Sequence, residues 1–295
     1  METKLNALRA IIREMNSAVV AFSGGVDSAF LLKVAHEELG EKCVAVTAQS
    51  DAVPDRELEE ASEFCRQHGI RQIVFHSGEM QDENYAANPP DRCYYCKRGF
   101  LEDILQIAEQ NHLRTVIEGS NMDDNNDFRP GTRALRELQI RSPLQEAGLY
   151  KDEIRQLSRQ MGLPTWDKPS FACLASRIPY GERITPEKLH MIGQAEQVLA
   201  DLGFRQYRVR LHGERGSENS GEPARGDVSG KSKRAMLARI ELPPEDISRL
   251  AEEENRTAVA ARFREIGFSY ITVDLEGYRP GSMNELLRRQ GDTAR

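Results

Sequence analysis

The sequence contains no apolar run that approaches the roughly 18 to 20 residues a helix needs to cross a bilayer. It also shows no apolar leader, because its first 16 residues mix charged and apolar side chains at helical spacing and predict an amphipathic helix. We therefore expect a cytoplasmic protein without a membrane partner. Aromatic residues are few, at 6%. The 39% hydrophobic and 29% charged contents are nevertheless ordinary for a globular protein.

Basic residues are fewer than acidic ones, at 40 against 47, so the formal net charge is −7. This argues against a protein that grips nucleic acid over a wide surface. Basic residues are still concentrated between positions 205 and 239. That stretch is interpreted as a solvated face or loop, part of which could hold a phosphorylated small molecule.

Cysteine is scarce and odd in number, with five residues in the chain. An odd count without an export signal argues against a disulfide framework and favours metal, cluster or thiol chemistry. Cys43 and Cys65 fall in apolar-periodic segments and are expected to be buried packing residues. Cys93, Cys96 and Cys173 require another explanation.

The region from 17 to 143 repeats a pattern of strand, loop and helix. Strands are predicted at 18–22, 43–47, 72–75, 115–118 and 140–143, and helices at 29–39, 55–68 and 98–111. Short runs that are apolar on both faces, separated by helices, indicate a parallel sheet covered on both sides. We therefore predict an α/β fold with a five-stranded, doubly wound parallel sheet that binds its ligand at the carboxyl ends of the strands.

The rest of the chain predicts a second, smaller domain of α+β type. A helix predicted at 151–161 still belongs to the first domain. The second domain is predicted to contain helices at 186–202 and 244–266 and strands at 207–211, 235–240 and 270–273. We divide the chain into a first domain at 1–165, a linker at 166–186, a second domain at 187–287 and a tail at 288–295. Residues 213–230 are almost devoid of apolar side chains and predict a mobile hairpin insertion.

The strongest functional signal is SAVVAFSGGVDS at 17–28, a predicted strand that runs into a glycine-containing loop and a helix. Adjacent glycines let the backbone approach an anion, and the helix N-terminus offers free N–H groups. Asp27 is suited to holding Mg²⁺ on pyrophosphate oxygens. The predicted phosphate-binding residues are Ser23, Gly24, Gly25, Val26, Asp27 and Ser28.

SGGVDS is not the GxxxxGK[ST] of γ-phosphate-transferring loops. It resembles the signature of the pyrophosphatase-loop (PP-loop) ATPases, which include GMP synthetase, NAD synthetase, argininosuccinate synthetase and tRNA-thiolating enzymes. The resemblance implies a HUP-like domain that cleaves ATP between its α- and β-phosphates and converts an acceptor into an adenylate.

Two further predicted strands end in residues suited to a nucleotide. TAQSD at 47–51 ends the second strand, where PP-loop enzymes hold adenine and ribose, and EGSNMDD at 118–124 ends the fourth. The second segment, taken alone, also fits an Asx-rich turn without a ligand. The candidates are Gln49, Ser50, Gly119, Asn121, Asp123, Asp124 and, more weakly, Arg129.

RCYYCKR at 92–98 places a CxxC just before a predicted helix, where nearby basic side chains should lower the thiol pKa values. One CxxC supplies only half of the usual ligand set of structural zinc. Cys173, in the linker, is a possible third thiolate. Three thiolates around a [4Fe–4S] cluster would leave one iron open to an extra sulfide. The alternatives are Cys173 as a sulfur source by itself, or reduced thiols that only pack.

SGGVDS, RCYYCKR, EGSNMDD followed by Arg129-Pro130-Gly131, and CLASRIPYG together resemble the LarE family of ATP-dependent sulfur-inserting enzymes. The similarity runs from position 17 to about 284. It implies a nicotinic-acid-derived pyridinium dicarboxylate mononucleotide as substrate, with ATP and Mg²⁺. One carboxylate is adenylated and then attacked by sulfur to give a thiocarboxylate, in assembly of a nickel-pincer nucleotide cofactor. We expect a homo-oligomer, with cofactor-assembly proteins as possible partners.

The resemblance also bears on the sulfur source. In LarE enzymes with one such cysteine, that residue surrenders its sulfur and becomes dehydroalanine, and Cys173 occupies the matching place. This sequence departs from that pattern by also having Cys93 and Cys96. Members with all three cysteines resemble a cluster-bearing type, and we favour that version. The predicted metal ligands are Asp27 and the three cysteines.

Arginines are suited to gripping the phosphate and carboxylates of such a substrate, because the guanidinium fork matches both groups. Glu196 is either an orienting residue or an ordinary solvated helix residue. The substrate candidates are Ser176, Arg208 and Arg210, and the catalytic candidates are Asp27, Cys93, Cys96, Cys173, Arg177 and Glu196, with Asp91 and Lys97 as weaker ones.

Three other functions remain open from the sequence. A tRNA thiolase also combines a PP-loop with a CxxC and a distant cysteine, but the acidic charge and the lack of a recognisable RNA-binding module argue against it. An amidating synthetase that uses ammonia would give no role to three thiols. A regulatory nucleotide-binding protein without turnover would not need Asp27 and the complete SGGVDS.

Overall fold

A computed structural model describes residues 1–126, 130–169, 172–213 and 235–279 of the chain. The chain forms two compact units, Met1–Cys173 and Leu174–Arg295. The division falls within the segment 166–186 that the sequence analysis interprets as a linker. None of the helices in the described ranges has the length and hydropathy of a membrane span.

The first unit alternates strands and helices. Its elements are α1 (Glu2–Met15), β1 (Ala18–Ala21), α2 (Val26–Leu39), β2 (Cys43–Gln49), α3 (Asp55–Gln67), β3 (Arg71–His76), α4 (Glu83–Ala86), α5 (Arg92–Gln110), β4 (Val116–Ile117), α6 (Gly131–Glu137), α7 (Pro143–Glu146) and α8 (Lys151–Gln160). Short 3₁₀ turns lie at Gly40–Lys42, Glu79–Gln81 and Met122–Asn126.

The strands of this unit form a parallel sheet in the order β3-β2-β1-β4. Val19 is in register with Val44 on one side and with Val116 on the other. This confirms the predicted parallel α/β fold. The predicted fifth strand at 140–143 is wrong in extent, because only Arg141 bridges to Ile117. Pro143 has no N–H to donate and begins α7 instead, which ends the pairing.

Each face of the parallel sheet has its own hydrophobic layer, because successive strand residues point to opposite faces. Val20 packs in a cluster with residues of α1, α2 and α8, such as Leu8 and Leu31. Val19 packs in a second cluster with Leu101 and Ile104 of α5. The sheet is therefore covered on both faces, as predicted, and its strand ends are left to carry polar residues.

Cys43 and Cys65 lie in the first of these clusters and are 1% and 2% exposed. Burial in apolar surroundings raises the pKa of each thiol to about 12. The prediction that both are packing residues is confirmed.

The second unit contains a smaller, mixed sheet. Its elements are a 3₁₀ turn (Leu174–Arg177), α9 (Pro186–Asp201), β5 (Arg208–Gly213), β6 (Met236–Glu241), α10 (Pro244–Ala251), α11 (Glu253–Ile266) and β7 (Tyr270–Val273). The strand order is β5-β6-β7, with β5 and β6 antiparallel and β6 and β7 parallel. The predicted α+β organisation is confirmed. Most of the predicted insertion at 213–230 and the tail at 288–295 lie outside the described residues.

The predicted helix at 244–266 is interrupted. Glu252 has a ψ of 145°, which is extended backbone, so α10 ends and α11 begins on either side of it. Hydrophobic residues of the sheet and helices nevertheless form a buried core. Leu211, Ala238, Ile240, Leu189, Leu199 and Phe263 are all at most 1% exposed.

Leu211 and Leu275 offer a matched test of this core, because Leu211 is fully buried and Leu275 is 88% exposed. Leu211→Ala leaves a cavity and should lower the free energy of unfolding by about 2–5 kcal/mol. Leu275→Ala deletes the same atoms from a solvent-exposed side chain. It should change the free energy of unfolding by less than about 0.5 kcal/mol. Urea unfolding followed by circular dichroism measures both variants. Equal losses would contradict the placement of Leu211 in the core.

Candidate active site

The glycine-containing loop lies between β1 and the N-terminus of α2, as the sequence predicts. Gly24 has a φ of 71°, and a Cβ there would lie 3.2 Å from the Cβ of Ala61. Glycine avoids both the strained backbone and the close contact. The hydroxyls of Ser23 and Ser28 are 3.1 Å apart, and the Ser28 hydroxyl donates to the carbonyl of Gly25. The loop thus presents two hydroxyls and a free helix N-terminus on one side.

Gly119, at the end of β4, lies against the start of α2. A Cβ at this position would be 3.0 Å from the backbone nitrogen of Ser28 and 3.2 Å from its Cα. Both neighbours are backbone atoms, so a side chain could be accommodated only by moving the loop. Gly119 therefore fixes how closely the ends of β1 and β4 approach each other.

Glu118, the residue after β4, connects this strand end to neighbouring segments through hydrogen bonds. Its buried carboxylate accepts hydrogen bonds from Lys97 Nζ, Ser142 Oγ and the backbone N–H of Ser120 at 3.1, 2.6 and 3.0 Å. Burial opposes ionisation, but these donors hold the pKa of Glu118 below its ordinary value. Lys97, a weaker sequence candidate, is thus placed beside the loop through an ion pair.

Asp27 is the charged residue of the loop. Its Oδ2 accepts a 2.6 Å hydrogen bond from Lys151 Nζ, at the start of α8. Its Oδ1 is buried and has no hydrogen-bond partner among the described residues. Burial raises the pKa of Asp27 despite the opposing charge of Lys151, and the nearby Asp124 acts in the same direction. An unpaired buried carboxylate oxygen next to a second carboxylate is suited to a hard cation such as Mg²⁺.

The segment after β4 is a 3₁₀ turn held by its own side chains. Asp124 Oδ2 accepts from the backbone N–H of Asn121, and Asn121 Oδ1 accepts from that of Asp123. The Asx-turn interpretation therefore describes its local structure, while its position still puts it at the cavity that the loop faces. Arg129, a further candidate, lies outside the described residues.

A cavity of about 870 Å³ in the first unit connects these parts. It contains most of the predicted nucleotide residues together with two of the three candidate cysteines. The predicted residues that line it are Ser23, Gly25, Val26, Asp27, Ser50, Asn121, Asp123, Asp124, Cys96 and Cys173. Ser28 and Gly119 line a smaller adjoining cavity of about 270 Å³. Gln49 is outside the lining of both, and its carbonyl accepts from the N–H of Ser77.

Among the cavity residues that the sequence analysis misses, four are of chemical interest: Glu79, Tyr85, Lys151 and Lys168. Lys168 bonds to Glu57 and Glu60 on α3 and to the carbonyl of Gly24. Burial lowers its pKa, but the two carboxylates more than compensate, so the pKa of Lys168 is raised. Its place in the same linker as Cys173 is the one sequence signal that points to it. The other three stand in segments without a motif.

The CxxC lies inside α5 and not before it. Pro89 and Pro90 precede the helix, Asp91 occupies its N-cap position, and the helix begins at Arg92. Cys93 and Cys96 are therefore three residues apart on one helix and point to the same side. The residue Cys93 is exposed, whereas Cys96 and Cys173 are half-buried.

The predicted lowering of the thiol pKa values is wrong. Desolvation and the negative charge of Cys173 raise the pKa of both Cys93 and Cys96, although Cys93 is exposed as a residue. The basic side chains have other partners: Arg92 Nη1 donates to Asn88 Oδ1, and Arg98 bonds to Glu102. The thiols are thus influenced more by each other than by the guanidinium groups.

Thiolate sulfur is the donor that iron–sulfur clusters require, so the type of residue fits. The charge of Cys173 also raises the pKa of both Cys93 and Cys96, which places the three thiols in one neighbourhood. In the described ranges, however, no three cysteine, histidine or carboxylate side chains converge into a metal-binding group. The three cysteines therefore fit a cluster in the chemistry of their thiols and in their nearness to one another. In the arrangement described, they do not converge on one point as a complete set of ligands.

The remaining candidates form a buried charge cluster within the second unit. Arg177 donates to both oxygens of Glu196 at 2.8 and 3.0 Å, and Arg210 donates to both oxygens of Glu241 at 3.0 and 2.9 Å. Arg177 and Glu196 are at most 1% exposed, so Glu196 is not a solvated residue. Bidentate pairs of this kind fix the orientation of the guanidinium planes.

Ser176 and Arg208 complete this cluster. The Ser176 hydroxyl accepts from Arg177 Nη1, and its carbonyl accepts from Arg210 Nη1. Arg208 donates to the carbonyl of Tyr207. Burial, together with the like charge of Arg177, lowers the pKa of Arg208. The guanidinium groups of Arg177 and Arg210 are thus paired with Glu196 and Glu241, and Arg239 also bonds to Glu241 and to Asp274.

Comparison with known proteins agrees with this geometry. A family profile described as queuosine biosynthesis protein QueC matches residues 17–84, which include the glycine-containing loop. The pyridinium-3,5-bisthiocarboxylic acid mononucleotide synthase of Lactiplantibacillus plantarum is 33% identical over 290 residues, 98% of this chain and 96% of its own. The chain belongs to the LarE family of PP-loop enzymes.

Other relatives support the same assignment. An uncharacterized protein of Synechocystis sp. is 42% identical to this LarE-family chain over 289 residues, 98% of this chain and all of its own. A glutamine-hydrolysing GMP synthase subunit of Archaeoglobus fulgidus is 23% identical over 213 residues, 68% of this chain and 69% of its own. The LarE-like enzyme is thus a member of the PP-loop ATP pyrophosphatases, a family whose membership implies ATP binding.

Gly119→Ala tests whether the approach of β4 to α2 shapes that site. The added Cβ must displace backbone of the loop, so the affinity for ATP should fall by roughly tenfold or more, about 1.4 kcal/mol. Gly99→Ala is the control, because it also lies at the cavity but a Cβ there meets no atom within 4 Å. Isothermal titration with ATP and Mg²⁺ compares the two. Unchanged affinity in Gly119→Ala would show that the loop does not depend on this contact.

Proposed function

We propose that the protein uses ATP to adenylate a carboxylate of a pyridinium dicarboxylate mononucleotide, releases pyrophosphate, and inserts sulfur to form a thiocarboxylate. One observation carries the proposal: the PP-loop and two candidate sulfur residues, Cys96 and Cys173, line the same cavity. The similarity to a synthase named for a bisthiocarboxylic acid mononucleotide supports the choice of acceptor. The product would serve assembly of a nickel-pincer nucleotide cofactor.

The first step makes the carboxylate reactive. A carboxylate oxygen attacks the α-phosphorus, a new P–O bond forms, and the bond to the oxygen that bridges the α- and β-phosphates breaks. The departing pyrophosphate takes that bonding pair, and its charge is met by the N-terminus of α2 and by the hydroxyls of Ser23 and Ser28. Asp27, through its unpaired Oδ1, would hold Mg²⁺, which neutralises phosphate charge.

Lys151 adds a positive charge beside this site. Its ammonium is bonded to Asp27, so it lies close to the proposed position of the nucleotide phosphates. Once Asp27 ligates the metal, the ammonium is available to the phosphates. Positioning and charge neutralisation are the main contributions that such a reaction needs from a protein.

The second step replaces the AMP. Sulfur attacks the carbonyl carbon, a C–S bond forms, the C–O bond to AMP breaks, and AMP leaves with the electron pair. We propose that Cys93, Cys96 and Cys173 would hold a [4Fe–4S] cluster, which would supply the sulfur at the sulfide level. In the alternative, Cys173 attacks directly. Its Cβ–S bond then breaks with loss of the Cα proton, which leaves dehydroalanine.

The buried arginine cluster of the second unit is proposed to bind the acceptor. Arg177, Arg208 and Arg210 carry guanidinium forks that suit the phosphate and carboxylates of a mononucleotide. Glu196 and Glu241 hold two of the guanidinium forks in fixed orientations. In this role Glu196 positions Arg177 and does not contact the metal.

Asp27→Asn should reduce pyrophosphate formation from ATP and acceptor by roughly 100-fold or more, because the metal loses its carboxylate. The circular dichroism spectrum should not change. Asp152→Asn, an exposed carboxylate at the start of α8, is the control and should retain activity. A coupled pyrophosphate assay and chromatography of AMP and ADP measure the reaction. ADP as the sole nucleotide product would refute the proposal.

Anaerobic purification should yield a brown protein that contains iron and sulfide, and Cys93→Ala or Cys96→Ala should lose the absorbance. Cys65→Ala, which removes a buried packing thiol, should keep it. Iron and sulfide analysis with visible spectroscopy measures this. An iron-free protein after anaerobic reconstitution contradicts the cluster. If intact mass then falls by roughly 34 Da after one turnover, Cys173 is the sulfur donor.

A further inference from the structure

Lys168 is a cavity residue to which the proposed mechanism gives no role. It lines the large cavity together with Pro169 and Cys173, and its side chain is 16% exposed. Cys173 follows Lys168 by five positions in the chain. Five residues span at most about 18 Å, so the position of Lys168 limits where Cys173 can lie.

The ammonium of Lys168 has three acceptors. It bonds to Glu57 Oε2 at 2.8 Å and to Glu60 Oε2 at 2.6 Å, both on α3, and to the carbonyl oxygen of Gly24 in the PP-loop at 3.3 Å. An ammonium has three N–H donors, so each donor has its own acceptor. Lys168 can therefore bind a phosphate oxygen only by breaking one of these bonds, which favours a structural link over a phosphate ligand.

The bond to Gly24 bears on how the PP-loop presents its backbone. In a trans peptide the carbonyl of Gly24 and the N–H of Gly25 point in opposite directions. An ammonium that holds this carbonyl therefore fixes the direction of the Gly25 N–H, at the residue that precedes α2. Helix α3 packs at the same place, because a Cβ on Gly24 would lie 3.2 Å from the Cβ of Ala61 and 3.5 Å from the carbonyl of Glu57.

The main chain around Lys168 is held separately by α8. Arg155 donates to the carbonyl of Trp166 at 2.6 Å and to the carbonyl of Lys168 at 3.0 Å. The N–H of Lys168 donates to the carbonyl of Thr165 at 3.0 Å. Residues 166–168, the bridging segment, are thus attached to α8 through their backbone and to α3 and the PP-loop through one side chain. A displacement of the loop is passed to this segment.

We infer that Lys168 is a positioning residue, which couples the occupation of the PP-loop by ATP to the position of the segment that leads to Cys173. This inference deepens the proposed function and rests on it for the step that Cys173 serves. The coupling itself concerns ATP binding alone. It is also reciprocal: if the bridging segment favours ATP binding by some factor, ATP stabilises the attached segment by the same factor.

Lys168→Met removes the ammonium and keeps the length of the side chain. It should weaken the binding of ATP with Mg²⁺ roughly five- to tenfold, because the Gly24 carbonyl loses its charged donor. In the unaltered protein, ATP should slow hydrogen exchange in the bridging segment by a similar factor, and in Lys168→Met this protection should disappear. Isothermal titration measures the affinity, and hydrogen-exchange mass spectrometry measures the protection.

Lys4→Met is the matched control. Lys4 bonds to both oxygens of Glu153 at 2.8 and 2.7 Å and lies outside the lining of both cavities. This variant also loses a lysine–carboxylate pair of the first unit. Its affinity for ATP and its ATP-dependent protection should stay within about twofold of the unaltered protein.

Glu57→Gln separates the inference from a direct role of Lys168 as a phosphate ligand. A phosphate-binding lysine released from a carboxylate would bind ATP more tightly. A positioning lysine that loses an anchor should instead weaken ATP binding by roughly two- to threefold. Because this substitution keeps the size of the side chain, it also tests the inference if Lys168→Met does not fold.

The outcomes are distinguishable. If Lys168→Met binds ATP as Lys4→Met does and keeps the protection, Lys168 only stabilises the fold and the inference is overturned. Tighter ATP binding by Glu57→Gln overturns it as well. If the unaltered protein forms no thiocarboxylate, the proposed function fails, and the ATP affinities and exchange rates still decide whether Lys168 couples the loop to the segment.

Discussion

The close approach of three backbone segments determines the rest of the site. Gly24 bends the chain with a positive φ beside Ala61, and Gly119 brings the end of β4 to within a backbone contact of Ser28. Neither position has room for a side chain. Close packing at these two glycines therefore determines the orientation of the N-terminus of α2. Asp27, the first acidic residue of that helix, takes its direction from the same contact.

The two units hold their charged residues in different ways. In the first unit, the carboxylate of Asp27 is only partly satisfied, which leaves it able to accept a cation. In the second, Glu196 and Glu241 are completely engaged by arginines, which are therefore rigid. Partial pairing suits a group that exchanges partners during a reaction. Complete pairing suits one that has to keep a fixed orientation.

Sequence reasoning succeeds where a local pattern has a local cause. The strand, loop and helix of 17–28 and the burial of Cys43 and Cys65 depend on residues close in the chain or on apolar periodicity. It fails where distant residues decide. Burial and the charge of Cys173, which is distant in the chain, raise the pKa of Cys96 more than Arg92 lowers it. The fifth strand is a local failure, since Pro143 within the predicted segment ends its pairing. Tyr85 stands in no motif, so only the folded chain shows that its hydroxyl has no hydrogen-bond partner in the part of the chain that the structure describes.

The placement of Cys93 and Cys96 on one helix has a geometric consequence. Two corners of the triangle formed by the three sulfur atoms are fixed by α-helical spacing, because a helix does not stretch. Only the third corner, at Cys173, is left to vary. Apart from side-chain rotation of the cysteines, a rearrangement that draws the three sulfurs together therefore changes the position of the segment that carries Cys173 relative to α5.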